Sequence, residues 1–128
     1  MTLTAPIVQV REIESAQTVG YGATYGVEPP ARLAVVALGY ADGYPRALGN
    51  RGVVAIAGRR APVVGRVSMD LICCDVSALP RELVRVGDAV EAIGPTVTLD
   101  EVAAAAGTIS YELLTRLGPR LARVYRGA

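Results

Sequence analysis

Four of the six tyrosines sit in two short, glycine-flanked runs, Tyr21-Gly22-Ala23-Thr24-Tyr25 and Tyr40-Ala41-Asp42-Gly43-Tyr44. A phenol on a loop can donate, accept or, with a lowered pKa, exchange a proton with a substrate. The same tyrosines could instead serve as core aromatics, because the chain has no Phe and no Trp. A third run, Gly65-Arg66-Val67-Ser68-Met69-Asp70, sets an arginine and an aspartate around a short apolar stretch. It reads either as a solvated turn with a local ion pair or as backbone N–H groups facing an anionic ligand. Gly39 and Gly43 could suggest a phosphate cradle, but no helix start follows that loop and the signal is weak.

What is missing narrows the chemistry. All 13 basic residues are arginines, and there is no Lys and no His. A Schiff base with a carbonyl cofactor, a phosphate-loop lysine, a Ser-His-Asp system and a histidine zinc site are therefore all excluded from this chain's own residues. No metal is expected. Against 12 acidic residues the formal net charge is +1, which offers no broad electrostatic footprint for nucleic acid. The late arginines Arg116, Arg120, Arg123 and Arg126 do not share a helix face, because Gly118-Pro119 intervenes. Cys73 and Cys74 are sequence neighbours, which bridge only with strain, so both are expected as reduced thiols in a reducing, cytoplasmic setting. Apolar stretches such as Leu33 to Leu38 fall far short of the ~20 residues needed to span a bilayer, and no signal peptide is expected.

The elements that must position these residues read mostly as short strands. At 128 residues and 52% hydrophobic, the chain is one domain's worth. Pro6 to Ile13 is β-branched, with Val8, Val10 and Glu12 on one face and Ile7, Gln9, Arg11 and Ile13 on the other. Thr18 to Tyr25, with its glycines, suits a sharply bent barrel strand or a close backbone approach. Arg32 to Leu38 is continuously apolar, as in a strand buried on both faces. Gly39 to Asn50 reads as a long polar loop. Val53–Ile56 and Pro62–Val67 form a hairpin about a turn at Ala57–Arg60. Leu71–Val76 and Ala89–Ile93 follow as strands. Thr98-Leu99-Asp100-Glu101 fits a capping box before a helix over Val102–Ala106 that stops at Gly107. A second helix runs from about Tyr111 to Leu117 with Ser110 as a candidate cap, and Leu121–Tyr125 returns to strand. The predicted fold is mainly β, a closed Greek-key-like barrel with one or two short helices near the C-terminal end.

Four segments occur here in a familiar order and spacing: Val19–Tyr25, the loop Gly39–Arg46, Ala61–Asp70 and Thr108-Ile109-Ser110-Tyr111-Glu112. Together they resemble the C-terminal β domain of bacterial alanine racemase over essentially the whole chain, residues 1–128. The resemblance implies a larger enzyme, in which an N-terminal (β/α)₈ barrel, absent from this chain, holds pyridoxal 5′-phosphate on a lysine. It further implies a head-to-tail homodimer whose active sites each combine one subunit's barrel with the other's β domain. The enzyme would interconvert L- and D-alanine for peptidoglycan precursors. Tyr21 matches the tyrosine that serves as one of two acid–base groups, the lysine being the other. Removing a proton from one face and returning it to the other needs two such groups. Met69, through its backbone N–H, resembles the group that receives the substrate carboxylate, with Asp70 beside it. Tyr40 and Tyr111 resemble tyrosines that narrow the entrance, and Tyr111 also matches a cofactor-phosphate contact. Arg46 and Ile109 resemble a second layer of that entrance.

By itself the chain is expected to be inactive and to hold no cofactor. The same domain in a serine or broad-spectrum amino-acid racemase is an alternative. So is a stand-alone small β-barrel binding module. Neither nucleic acid nor membrane is an expected partner.

Overall fold

The computed structural model describes residues 2–13, 17–19, 25–27 and 30–116, the two three-residue pieces through their backbone alone. Eight strands and two short α-helices follow one another: β1 (Leu3–Ile13), β2 (Gln17–Val19), β3 (Tyr25–Val27), β4 (Ala31–Val36), β5 (Val53–Ile56), β6 (Arg59–Val64), β7 (Ile72–Asp75), β8 (Ala89–Ile93), α1 (Leu99–Ala105) and α2 (Ser110–Arg116). Six of the strands close a barrel in the order β1-β4-β7-β6-β5-β8, every pairing antiparallel. The mainly-β, closed-barrel reading therefore holds, and the two helices lie late in the chain as expected.

β1 starts with period-two burial: Leu3, Ala5 and Ile7 are buried, Thr4, Pro6 and Val8 exposed. The alternation then breaks. The register shifts between Ile7 and Gln9, so Val10 packs on the same inner core as Ile7 while Ile13 joins a separate cluster with Ala31, Leu33 and Val64. The shared face expected for Ile7 and Ile13 is thus divided by a bulge, which adds one residue and turns the later side chains over. Just before it, the strand changes partners. Leu3–Pro6 pairs with β8, and Ile7–Ile13 with β4. Pro6, which has no N–H to give a ladder, sits at that changeover.

β4 is buried at all six positions, as its unbroken apolar run predicts. Ala34 and Val36 face the barrel core, while Ala31 and Leu33 face the outer cluster. The Thr18–Tyr25 segment departs from expectation. Its described parts pair with each other as a separate two-stranded sheet, Gln17 opposite Val27 and Val19 opposite Tyr25, outside the barrel. A run with glycines at Gly20, Gly22 and, just beyond it, Gly26 has few side chains to bury in a barrel wall.

The hairpin is tighter than expected. Ile56 pairs with Arg59 and Ala55 with Arg60, leaving only Ala57 and Gly58 in the turn. Both have positive φ, 51° and 77°. This is the mirror-image two-residue turn whose twist matches the flanking strands, so Arg59 and Arg60 belong to β6.

Thr98 caps α1 by accepting from the Glu101 N–H at 3.2 Å, and the helix ends in Gly107 at φ 75°. α2 begins at Ser110, whose hydroxyl bonds the Asp100 carboxylate and so ties α2 to α1 rather than capping its own helix. Leu113 anchors α2 in the core. Leu121–Tyr125 lies outside the described residues. Among the described residues no helix is long and apolar enough to cross a membrane.

Candidate functional site

At one end of the barrel an open cleft of about 740 Å³ is lined by Tyr40, Arg46 and the run Arg66–Leu71. Two loops build it: the one after β4 and the one between β6 and β7. The first is not featureless. It holds two 3₁₀ turns, Tyr40–Asp42 and Arg46–Leu48, and sends Tyr44 and Leu48 into the core. Those two side chains anchor the loop from below and leave Tyr40 facing out. The tyrosines of this loop therefore divide between the two roles, Tyr44 as core and Tyr40 at the cleft. Burial pushes the Tyr44 phenol pKa up, which keeps it a neutral packing group.

The two loops are joined backbone to backbone. The Tyr40 N–H donates to the Ser68 carbonyl and the Ala41 N–H to the Met69 carbonyl, both at 3.0 Å. Gly39 permits this approach, because a Cβ there would lie 2.3 Å from the Met69 oxygen and 2.5 Å from that of Ser68. Asp42, only 4% exposed, accepts from the Gly39 N–H at 3.0 Å and holds the turn. On the other side, Ser68 closes a tight turn. Its hydroxyl donates to the Leu71 carbonyl at 2.8 Å and accepts from the Leu71 N–H at 3.1 Å. Met69 and Asp70 form the tip of that turn, and Met69 is 52% exposed. Among the described residues nothing accepts the Met69 N–H. The Arg46 guanidinium lies 4.7 Å from the Tyr40 ring centroid, a cation–π contact that orients both.

Two guanidinium groups, Arg46 and Arg66, share the cleft with one carboxylate, Asp70. The excess positive charge and an available backbone N–H suit a small ligand bearing a carboxylate.

Tyr40, Arg46, Met69 and Asp70, singled out from the sequence, therefore meet in one place. Ile109 and Tyr111 do not line this cleft. They are 66% and 76% exposed at the start of α2. Tyr21 lies outside the described residues. Three further residues contribute, to which the sequence assigned no role in the site: Arg66, which lines the cleft, and Gly39 with Asp42, which shape it. The signal for the last two was legible as an acidic residue three positions after a glycine, a turn-capping pattern.

Comparison with known proteins decides the family. The sequence family described as "Alanine racemase, C-terminal domain" matches residues 1–125. The chain belongs to the alanine racemase C-terminal domain family. It is 49% identical over 125 residues to the alanine racemase of Brucella canis, and 50% identical to that of Rhodospirillum rubrum. Each match covers 98% of this chain but 32% and 33% of those proteins, so the chain spans about a third of their length. Among solved structures, the biosynthetic alanine racemase of Pseudomonas aeruginosa superposes with a TM-score of 0.91 at 47% identity, over 99% of this chain and 35% of that one. The alanine racemase of Bartonella henselae, solved with covalently bound pyridoxal phosphate, gives 0.91 at 41% identity, over 96% of this chain and 34% of that one. Both structures thus share the fold of this chain over nearly its whole length.

Proposed function

We propose that this chain is the part of a pyridoxal 5′-phosphate-dependent alanine racemase that completes the active site with tyrosine and arginine side chains. The observation that carries the reading is the cleft itself, where a Met69 N–H with no acceptor among the described residues stands with Tyr40, Arg46 and Arg66. In this reading the Met69 N–H receives the carboxylate of L- or D-alanine and the two arginines raise the local preference for that anion. Tyr40, stacked on Arg46, narrows the way in, with Asp70 beside it and Ile109 in the outer layer of an entrance.

Tyr21 is the proposed acid–base group, its phenol oxygen taking or returning the proton at the substrate α-carbon. A phenol with a reference pKa of ~10 needs help to act near neutrality, and each unit of lowering corresponds to about 1.4 kcal/mol. The chain's arginines are its own means of supplying that.

The cofactor fits this chain only as a partial wall. With no lysine the chain cannot anchor it covalently, but the exposed Tyr111 at the start of α2 offers a hydroxyl donor for a phosphate oxygen. When bound, pyridoxal phosphate supplies an electron sink for the pair left behind as the α-proton departs.

The lysine would come from an N-terminal barrel domain in the two-thirds of the relatives' length that this chain does not span. That α2 contributes nothing to the cleft's lining supports a head-to-tail homodimer, with the cleft and the α2 surface serving different centres. The unbridged thiols of Cys73 and Cys74 support a reducing, cytoplasmic setting, and the D-alanine would feed cell-wall precursors.

The test is Tyr21→Phe in the intact protein, with racemisation followed in both directions from α-deuterated alanine. Loss concentrated on proton abstraction from L-alanine is expected. Near-normal turnover both ways, with an unchanged isotope effect, would remove Tyr21 from the role. A second check is the 128-residue chain mixed with pyridoxal phosphate, where no lysine-linked absorbance band should appear.

A further inference from the structure

The opposite end of the barrel holds a second, smaller cleft of about 200 Å³, lined by Glu12, Pro30, Ala31, Arg32, Ser77 and Arg81. The register places it: Val36 and Ile72 pair at the end nearer the cleft described above, whereas Arg32 pairs with Glu12 at the far end of β4. Arg32 is only 6% exposed. Its Nη2 donates to the carbonyls of Val76, at 3.1 Å, and Leu79. Among the described residues no carboxylate pairs with it, and its Nε and Nη1 have no acceptor. Arg32 is itself one of the residues lining the cleft.

A buried guanidinium balanced only by two carbonyl dipoles is costly. Glu12 stands directly across the ladder from Arg32, yet its carboxylate is drawn outward to Arg81. Ser77 cannot supply the missing charge. Its hydroxyl donates to the Asp75 carboxylate at 2.6 Å while accepting from the Arg32 backbone N–H at 2.9 Å. Among the described residues the cleft therefore has no carboxylate on the cation at its base, and it has a half-engaged arginine at its mouth.

We propose that this far-end cleft binds a small oxyanion, a carboxylate or inorganic phosphate, on the Nε and Nη1 of Arg32 with Arg81 at the rim. The fork geometry of the guanidinium suits two oxygens of one anion, and the volume suits a group of that size rather than a nucleotide. Glu12 competes with the anion for Arg81, and that competition gives the proposal a sign that can be tested.

The experiment follows the Arg32 Nε–H resonance of the ¹⁵N-labelled protein while sodium phosphate, and separately sodium acetate, is added at constant ionic strength. Saturable shifts are expected, and the tighter of the two identifies the kind of anion. Glu12→Gln frees Arg81 and should tighten binding roughly threefold, whereas Arg81→Gln leaves the Glu12 charge uncovered and should weaken it by a similar factor. Both side chains are largely solvent-exposed, and the same spectra verify that the fold is kept. A shift that fails to saturate for either anion, an equal shift from sodium chloride, or two variants that move affinity in the same direction would each overturn the site.

Discussion

Replacing Gly39 by Ala tests whether the cleft depends on the close meeting of its two loops. Gly39 has φ −152° and ψ −170°, extended backbone open to any residue, so the substitution brings no conformational strain of its own. The cost is steric. The new Cβ would meet three backbone atoms, the Met69 oxygen at 2.3 Å and the Met69 carbon and Ser68 oxygen at 2.5 Å. Ordinary contact lies roughly 1 Å farther out, and no flexible side chain stands there to yield. The segment at Ser68–Met69 must retreat, stretching the two 3.0 Å bonds from Tyr40 and Ala41. Overpacking of this kind costs about 1–3 kcal/mol, and each hydrogen bond lost adds about 1 kcal/mol. The total is about 2–5 kcal/mol, a large share of a typical domain's ~5–15 kcal/mol. In urea, with a slope of about 1–3 kcal/mol per molar, the midpoint should fall by roughly 1–2 M. Gly58→Ala is the matched control. It imposes a side chain at φ 77° but meets nothing within 4 Å, so only backbone strain of about 1 kcal/mol is expected. A Gly39→Ala midpoint no lower than that of Gly58→Ala would refute the argument that loop contact, rather than backbone freedom, requires this glycine.

Burial pushes the Cys74 thiol up to about 12, with the neighbouring Cys73 and Asp75 adding to it, and raises Cys73 and Tyr44 as well. The folded state thus holds protons that the unfolded chain releases from about pH 9, so stability should be intact below that pH and fall above it, by up to about 1.4 kcal/mol per unit for each group. Urea midpoints measured from pH 7 to 11 check this, and a flat profile would contradict the burial. Ala57→Asn places at φ 51° a residue that tolerates the left-handed region, and should raise stability by about 0.5–1 kcal/mol in thermal unfolding. Arg46→Ala removes the cation–π contact at an exposed site, so stability should stay within about 0.5 kcal/mol. Under the proposed function, the same change in the longer protein should act mainly on KM for alanine, which steady-state kinetics would separate from kcat.

Much of the barrel was legible because local pattern and tertiary demand agree in it. The apolar run of β4 reads as two-sided burial, the run before Gly107 as a capped helix, and the residues around Ala57 as a hairpin. The misses have physical causes. A β-bulge in β1 leaves no mark in composition, so Ile7 and Ile13 looked like residues of one face. An Ala in the first turn position concealed a two-residue turn that usually advertises itself with Asn or Gly. Tyr40 and Tyr44 carry the same side chain, and only the path of the loop decides which one enters the core. Within the site, the motifs indicated Tyr40, Arg46, Met69 and Asp70 as neighbours. The second helix was legible, but linear order could not show that its start, with Ile109 just before it and Tyr111 in its first turn, leaves the cleft's lining to other residues.

The change of partners along β1 bears on how the domain is made. A ribosome delivers β1 before β8, so the first four residues of that strand find their mate only when β8 emerges, Leu3 opposite Ile93. Until then the edge Leu3–Pro6 stays unsatisfied, the condition under which nascent chains pair wrongly. Barrel closure is a long-range event, and such topologies reach the native state slowly. Pro6 and the bulge beside it interrupt what would otherwise be a flat, sticky ribbon, so the irregularity in β1 also guards the chain during its wait for β8.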